Sequence, residues 1–187
     1  MASRGVKLIR DFILPCSAGE FYGKILGDLE MFLNKTTPQW VDHYEVKEEI
    51  KETGRFYRRS VLTKTSYLNY VPAMIKDQIP IELFESAVRQ EEESIFELAD
   101  QKIRWRIQPL ENPRPLYTLT GSTTIIPLNE ASCKVTMLMY FDLDRSILEE
   151  KYVSKNVSVY LVPILESHLP GIILDKMKGM YSDLVRY

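Results

Sequence analysis

The feature that most limits how this chain can fold is the contrast between its last stretch and what precedes it. Ser154 to Tyr187 reads as one long amphipathic helix, or as two helices bent at Pro163 and Pro170. At ~1.5 Å per residue such a helix is roughly 50 Å long. Before it, one early helix and a central apolar segment aside, the chain reads as strands. A long helix that follows a run of strands buries itself by lying across the concave face of a curved sheet. What the two enclose is the functional question, and the expectation is a cavity for an apolar ligand.

The chain has 187 residues, enough for one domain spanning 1–187 with a full core. Apolar residues make up 45% and charged residues 27%, as in folded soluble proteins. A net charge of −2 gives no general attraction to nucleic acid. Cys16 and Cys133 form no CxxC and no metal spacing, so both read as free buried thiols in a reducing compartment. The N-terminus lacks the apolar core of a secretory signal, and no run approaches ~18 uninterrupted apolar residues. The expected localisation is intracellular: the cytoplasm, with the mitochondrial intermembrane space as the alternative. His43 and His168 have no companion at ligand spacing, so no metal and no cofactor is expected.

Taken in order, Val6 to Leu14 is a strand, with Ile9 and Ile13 suggesting partial cover on its second face. Ser17 and Glu20 form a capping box for a helix from Ala18 to Leu33. Trp40 to Lys51 alternates, with Trp40, Tyr44, Val46 and Ile50 on one face, and Thr53-Gly54 turns it into a returning strand, Arg55 to Thr65. The faces of that strand stay open: Phe56, Arg58, Ser60 and Leu62 share one, Tyr57, Arg59, Val61 and Thr63 the other. Tyr67 to Phe84 is a proline-punctuated, apolar connection, read as a short helix plus a loop. Four strands follow: Val88 to Leu98, Ile103 to Ile107, Leu116 to Pro127 and Cys133 to Leu143. On the last, Cys133, Val135, Met137, Met139, Phe141 and Leu143 form the clearest buried face. The fold class is therefore α+β: a curved antiparallel sheet of about six to seven strands gripping a long C-terminal helix.

This order of elements resembles the START-like superfamily, also called helix-grip, Bet v 1-like or SRPBCC, over essentially the whole chain. The place of the Tyr67 to Phe84 insertion, the string from Pro72 to Lys76 and the following Phe84 to Glu97 strand are similar to the PRELI-type lipid-transfer proteins. The resemblance implies a long cavity between sheet and helix that holds a lipid, sterol, polyketide or hormone. It also implies that the apolar insertion acts as a gate, here through Met74, Ile75, Ile79 and Phe84.

The candidate ligand-lining residues are Tyr44, Arg58, Gln90, Glu92, Trp105, Tyr117, Met137, Met139 and Phe141 on the sheet, and Val157, Tyr160, Leu161, Ile164 and His168 on the helix. Glu92 shares a face with Gln90, Ser94, Phe96 and Leu98, and an inward carboxylate needs a partner, for which Arg58 is the natural choice. Methionines adapt to varied apolar shapes, which suits a ligand wall. Lys64 and Lys76 beside the apolar insertion suit a transient membrane contact through 67–84. No catalytic constellation stands out. The expected function is binding of a lipid or other apolar small molecule for transfer or sensing. The alternatives are a small cyclase or hydratase using the same cavity, or an interaction module with a filled cavity and an unidentified protein partner.

Overall fold

The computed structural model describes residues 5–36, 41–64, 82, 89–110 and 114–187. The described strands form one antiparallel sheet: β1 (Val6–Leu14), β2 (Val41–Glu52), β3 (Arg55–Lys64), β4 (Arg89–Glu97), β5 (Lys102–Pro109), β6 (Tyr117–Asn129) and β7 (Ser132–Leu143). Their spatial order is β1-β7-β6-β5-β4-β3-β2, so β1 and β2 are the edges; β1 pairs with β7 from the far end of the chain, and the remaining neighbours are consecutive strands. The described helices are α1 (Ala18–Gly27), α2 (Leu29–Thr36), α3 (Arg145–Lys151) and α4 (Lys155–Arg186). This is the α+β arrangement expected, a curved sheet against one long C-terminal helix.

The inward faces follow the period of two. Cys133, Val135, Met137, Met139, Phe141 and Leu143 on β7 are all buried, as are Ile103, Trp105 and Ile107 on β5. On β3 the ambiguity resolves in favour of Phe56, Arg58, Ser60 and Leu62 as the inner face. Gly121 on β6 lies under the Trp105 indole. A Cβ there would come within 2.6 Å of the ring and closer still to the Leu138 carbonyl oxygen.

Several expectations need correction. The early helix is two helices, broken at Asp28 and continuing to Thr36 rather than stopping at Leu33. Ser17 does cap α1, its hydroxyl accepting from the Glu20 N–H at 3.1 Å. On β2, register shifts between Val41 and His43 and between Val46 and Glu48 interrupt the single face expected; Val41 and Tyr44 are both buried, whereas Ile50 is exposed. Such bulges place an extra residue in one strand and so change parity, which a strict alternation cannot anticipate. Ile9 and Ile13 are exposed, because none of the described residues packs on the outer face of β1 there. Leu98 falls in the turn after β4 and is also exposed. Trp40, Val88 and the insertion with Met74, Ile75, Ile79 and Phe84 lie outside the described residues.

Helix α4 runs unbroken for 32 residues with Pro163 and Pro170 inside it. By length and composition it could cross a membrane, but its inner side is packed against β1, β7 and α1. Phe21 of α1 meets Tyr181 of α4 edge to face at 5.2 Å, and Phe32 of α2 meets Tyr187 at 5.5 Å. Ser154 occupies the N-cap position, but its side chain makes no capping bond. The first turn is instead tied to α3, where the Ser158 hydroxyl bonds Glu149 and accepts from Arg145 Nη2 at 3.3 Å.

Candidate functional site

Between the inner face of β2–β5 and the C-terminal half of α4 lies a cavity of about 40 Å3. Its walls are mainly apolar: Ile25, Leu29 and Leu33 from the helices, Phe96, Ile103 and Ile107 from the sheet, and Ile173, Met177 and Met180 from α4. Into this greasy space project a few polar groups, Tyr44, Arg58, Glu92, Ser94, Lys176 and Tyr181. A single water needs at least ~10–15 Å3 by this measure, so the space admits water but not a large ligand.

The polar groups are held by the sheet. Tyr44 donates its hydroxyl to Ser60 Oγ at 2.8 Å. The Ser94 hydroxyl donates to Glu92 Oε1 at 2.7 Å. Trp105 Nε1 donates to Thr123 Oγ1 at 3.2 Å, and Thr123 also bonds the Tyr181 hydroxyl. Burial pushes the phenols of Tyr44 and Tyr181 well above the ordinary tyrosine range, and the negative charge of Glu92 pushes both further. One carboxylate thus acts on two buried hydroxyls from two different elements.

The Arg58 guanidinium is 5% exposed and lines the cavity together with Glu92, and it bonds further groups beyond that expected partner. Its Nε donates to Glu49 Oε1 at 3.0 Å, its Nη1 donates to the Ile25 carbonyl at 3.1 Å, and its Nη2 donates to the Leu26 carbonyl. It lies over the rings of Phe56 and Phe96, at 5.3 and 5.4 Å. A cation at the C-terminal end of α1 caps carbonyls that the helix itself leaves unbonded.

Of the residues singled out in the sequence, Tyr44, Arg58, Glu92 and Trp105 line the cavity. Gln90 and Tyr117 are buried and bonded to each other, Gln90 Nε2 donating to the Tyr117 hydroxyl, but they do not line it. Met137, Met139, Phe141 and Leu161 are fully buried core. Ile164 is half-buried. Val157, Tyr160 and His168 are corrections: Val157 is 42% and Tyr160 73% exposed, and His168 is exposed, its Nδ1 near the Ser167 hydroxyl at 2.7 Å and the Ile164 carbonyl at 3.1 Å.

Val157 and Tyr160 lie beside the first-half stripe rather than on it, and the stripe then changes phase along α4. Ser158, Leu161 and Leu165 are buried in the first half, and Ile173, Leu174, Met177, Met180, Tyr181 and Leu184 in the second. Continuing the spacing from Leu165 would bury Lys176 and Gly179. The observed stripe is displaced by about one residue, roughly 100° around the axis. Pro170-Gly171 stands at the change. The signal for the missed residues was present, since Met177, Met180, Tyr181 and Leu184 recur at i, i+3, i+4 and i+7.

Elsewhere, Cys16 and Cys133 are both free and buried, with the two thiols hydrogen-bonded to each other. Burial raises both thiols, Cys133 to about 12, so neither is a ready nucleophile. No group of three or more metal-ligating side chains occurs among the described residues.

No protein-family model and no curated protein matches the sequence. Solved structures do match it in shape. A START superfamily protein from Mycobacterium smegmatis is similar with a TM-score of 0.58 at 11% identity, covering 97% of this chain and 98% of that one. An aromatase/cyclase from Streptomyces sp. R1128 gives 0.57 at 11% identity, covering 96% and 90%. Norcoclaurine synthase from Thalictrum flavum gives 0.55 at 15% identity, covering 97% and 88%. At these identities the likeness is one of fold: the chain has the START-like, helix-grip fold.

Proposed function

We propose that the protein binds an apolar small molecule bearing a hydrogen-bonding end, held between the sheet and the second half of α4. The observation that carries this reading is the placement of Glu92, Ser94, Tyr44 and Tyr181 together in a cavity otherwise walled by aliphatic and aromatic side chains. Apolar walls supply affinity, at ~25 cal/mol per Å2 of surface covered. A few fixed polar groups supply orientation. Glu92 would accept from a hydroxyl or amine on the ligand, and the Tyr181 phenol would donate to a carbonyl.

A lipid or fused-ring ligand needs far more room than the closed cavity offers, on the order of 300 Å3. Binding therefore moves the walls. Met177 and Met180 are the unbranched, adaptable side chains at that wall. Carriage of a lipid, with a brief membrane contact, is the finer reading; a reducing intracellular setting is supported by the two adjacent free thiols. Native mass spectrometry of the protein after exposure to lipid and sterol mixtures tests it. Retention of one apolar class, reduced by Tyr181→Phe and Glu92→Gln, is the expected result; failure to retain any class counts against the reading.

A second reading, a cyclase-type enzyme, draws on the same carboxylate. Glu92 beside two buried phenols is an arrangement that can shuttle a proton. Under this reading Glu92→Gln abolishes turnover and leaves binding nearly intact. Under the carrier reading both the ligand's orientation and its affinity change.

A further inference from the structure

A second opening lies just outside the cavity. It is a groove of about 560 Å3 between the last turns of α1 and the β2–β3 hairpin, lined by Gly23, Leu26, Gly27, Glu49, Phe56 and Leu98 among others. The groove and the cavity sit on opposite sides of one side chain. Ile25, Phe96 and Arg58 belong to the cavity wall, while Leu26, Phe56 and Glu49 belong to the groove wall. All of these meet at the Arg58 guanidinium, through the two helix carbonyls, the two rings and the carboxylate.

We infer that the groove is where the ligand first binds and that Arg58 is the gate between it and the cavity. This rests on the apolar-ligand reading above. Three features suit a gate rather than a fixed wall. The closing group is the end of a long, unbranched side chain, which can swing without moving the backbone. Its carboxylate partner, Glu49, is 39% exposed on the groove side, so the latch can be wetted and released there. The groove floor has room, because a Cβ on Gly23 or Gly27 would meet nothing within 4 Å. When the guanidinium leaves, it vacates the space over the touching Phe56 and Phe96 rings, an apolar passage past their faces, and the departing cation is hydrated in the groove rather than stranded.

Stopped-flow fluorescence with Nile red, a neutral apolar dye that brightens on leaving water, tests this on the full chain. Glu49→Ala removes the latch, and both entry and exit of the dye should quicken by about fivefold, in line with a partly exposed ion pair. Gly27→Trp fills the groove without touching the cavity and should slow both rates by a factor of about ten or more. A purely structural role for Glu49 would lower the melting temperature and leave the two rates unchanged. Unchanged rates in both variants, with the dye still bound, would overturn the gate and leave the cavity reading standing. No dye uptake by the wild-type chain would overturn both.

Discussion

Asn34 holds Tyr44 as a neighbouring strand would. Its Nδ2 donates to the Tyr44 carbonyl at 2.8 Å, and its Oδ1 accepts from the Tyr44 N–H at 3.0 Å. One side chain on α2 thereby satisfies both backbone groups of a residue on the edge strand β2, and it fixes the residue whose hydroxyl reaches the cavity. Glu30 adds a third bond from the same helix, accepting from the Val46 N–H at 3.1 Å.

Replacing Asn34 with Ala removes both bonds and leaves part-buried backbone groups without partners. The expected loss is about 2 kcal/mol of unfolding free energy, read from urea denaturation. Asn34→Asp keeps the acceptor and loses the donor, so it should fall between wild type and Ala.

Gly121→Ala should be more damaging than an exposed glycine substitution, because the added methyl meets the Trp105 ring and the strand backbone behind it. A cost of about 2–3 kcal/mol is expected from overpacking. The Trp105 emission spectrum should change with it, while Gly19→Ala, which meets nothing within 4 Å, should not destabilise the fold.

The sheet and the closing helix were legible because strand alternation and helical spacing are properties of the inner face alone. Ile103, Trp105 and Ile107, or Met137 and Met139, announce themselves by period. What stayed hidden depended on departures from period. The bulges in β2 shifted Tyr44 and Val41 onto one side. Off the first-half stripe of Ser158, Leu161 and Leu165, Val157 and Tyr160 point outward, and the phase change near Pro170 brought Met177, Met180 and Tyr181 in. Further partners of Arg58 were hidden for a different reason: Glu49 and the carbonyls of Ile25 and Leu26 are brought to it only by the packing of the β2–β3 hairpin and α1 around it.

Three buried phenols make the fold sensitive to alkali. Tyr22 is pushed up from 10.0 to about 12 by burial, and Tyr44 and Tyr181 are raised further. A group whose folded value is raised contributes its stability in full below the unfolded value and loses it as pH climbs through the folded one. The unfolding free energy should hold steady up to about pH 10 and then fall, by up to about 1.4 kcal/mol per pH unit for each tyrosine. Absorbance at the phenolate band should show these three ionising only as the chain unfolds.

Cys16 and Cys133 should resist an aromatic disulfide reagent in the native state, since burial disfavours both thiolates. Two equivalents should react once the chain is unfolded in guanidinium. Rapid labelling of either thiol before unfolding would contradict their burial.

The central claim is that the space between the sheet and the second half of α4 takes an apolar molecule. Methyl NMR of methionine-labelled protein tests it most directly, because Met177 and Met180 line that space while Met31 is exposed on α2. Titration with single-chain alcohols, sterols and aromatic polycycles should give saturable shifts of the Met177 and Met180 methyls with at least one class, and none at Met31. Shifts confined to Met31, or no saturable shift at Met177 and Met180 with any class, would contradict it.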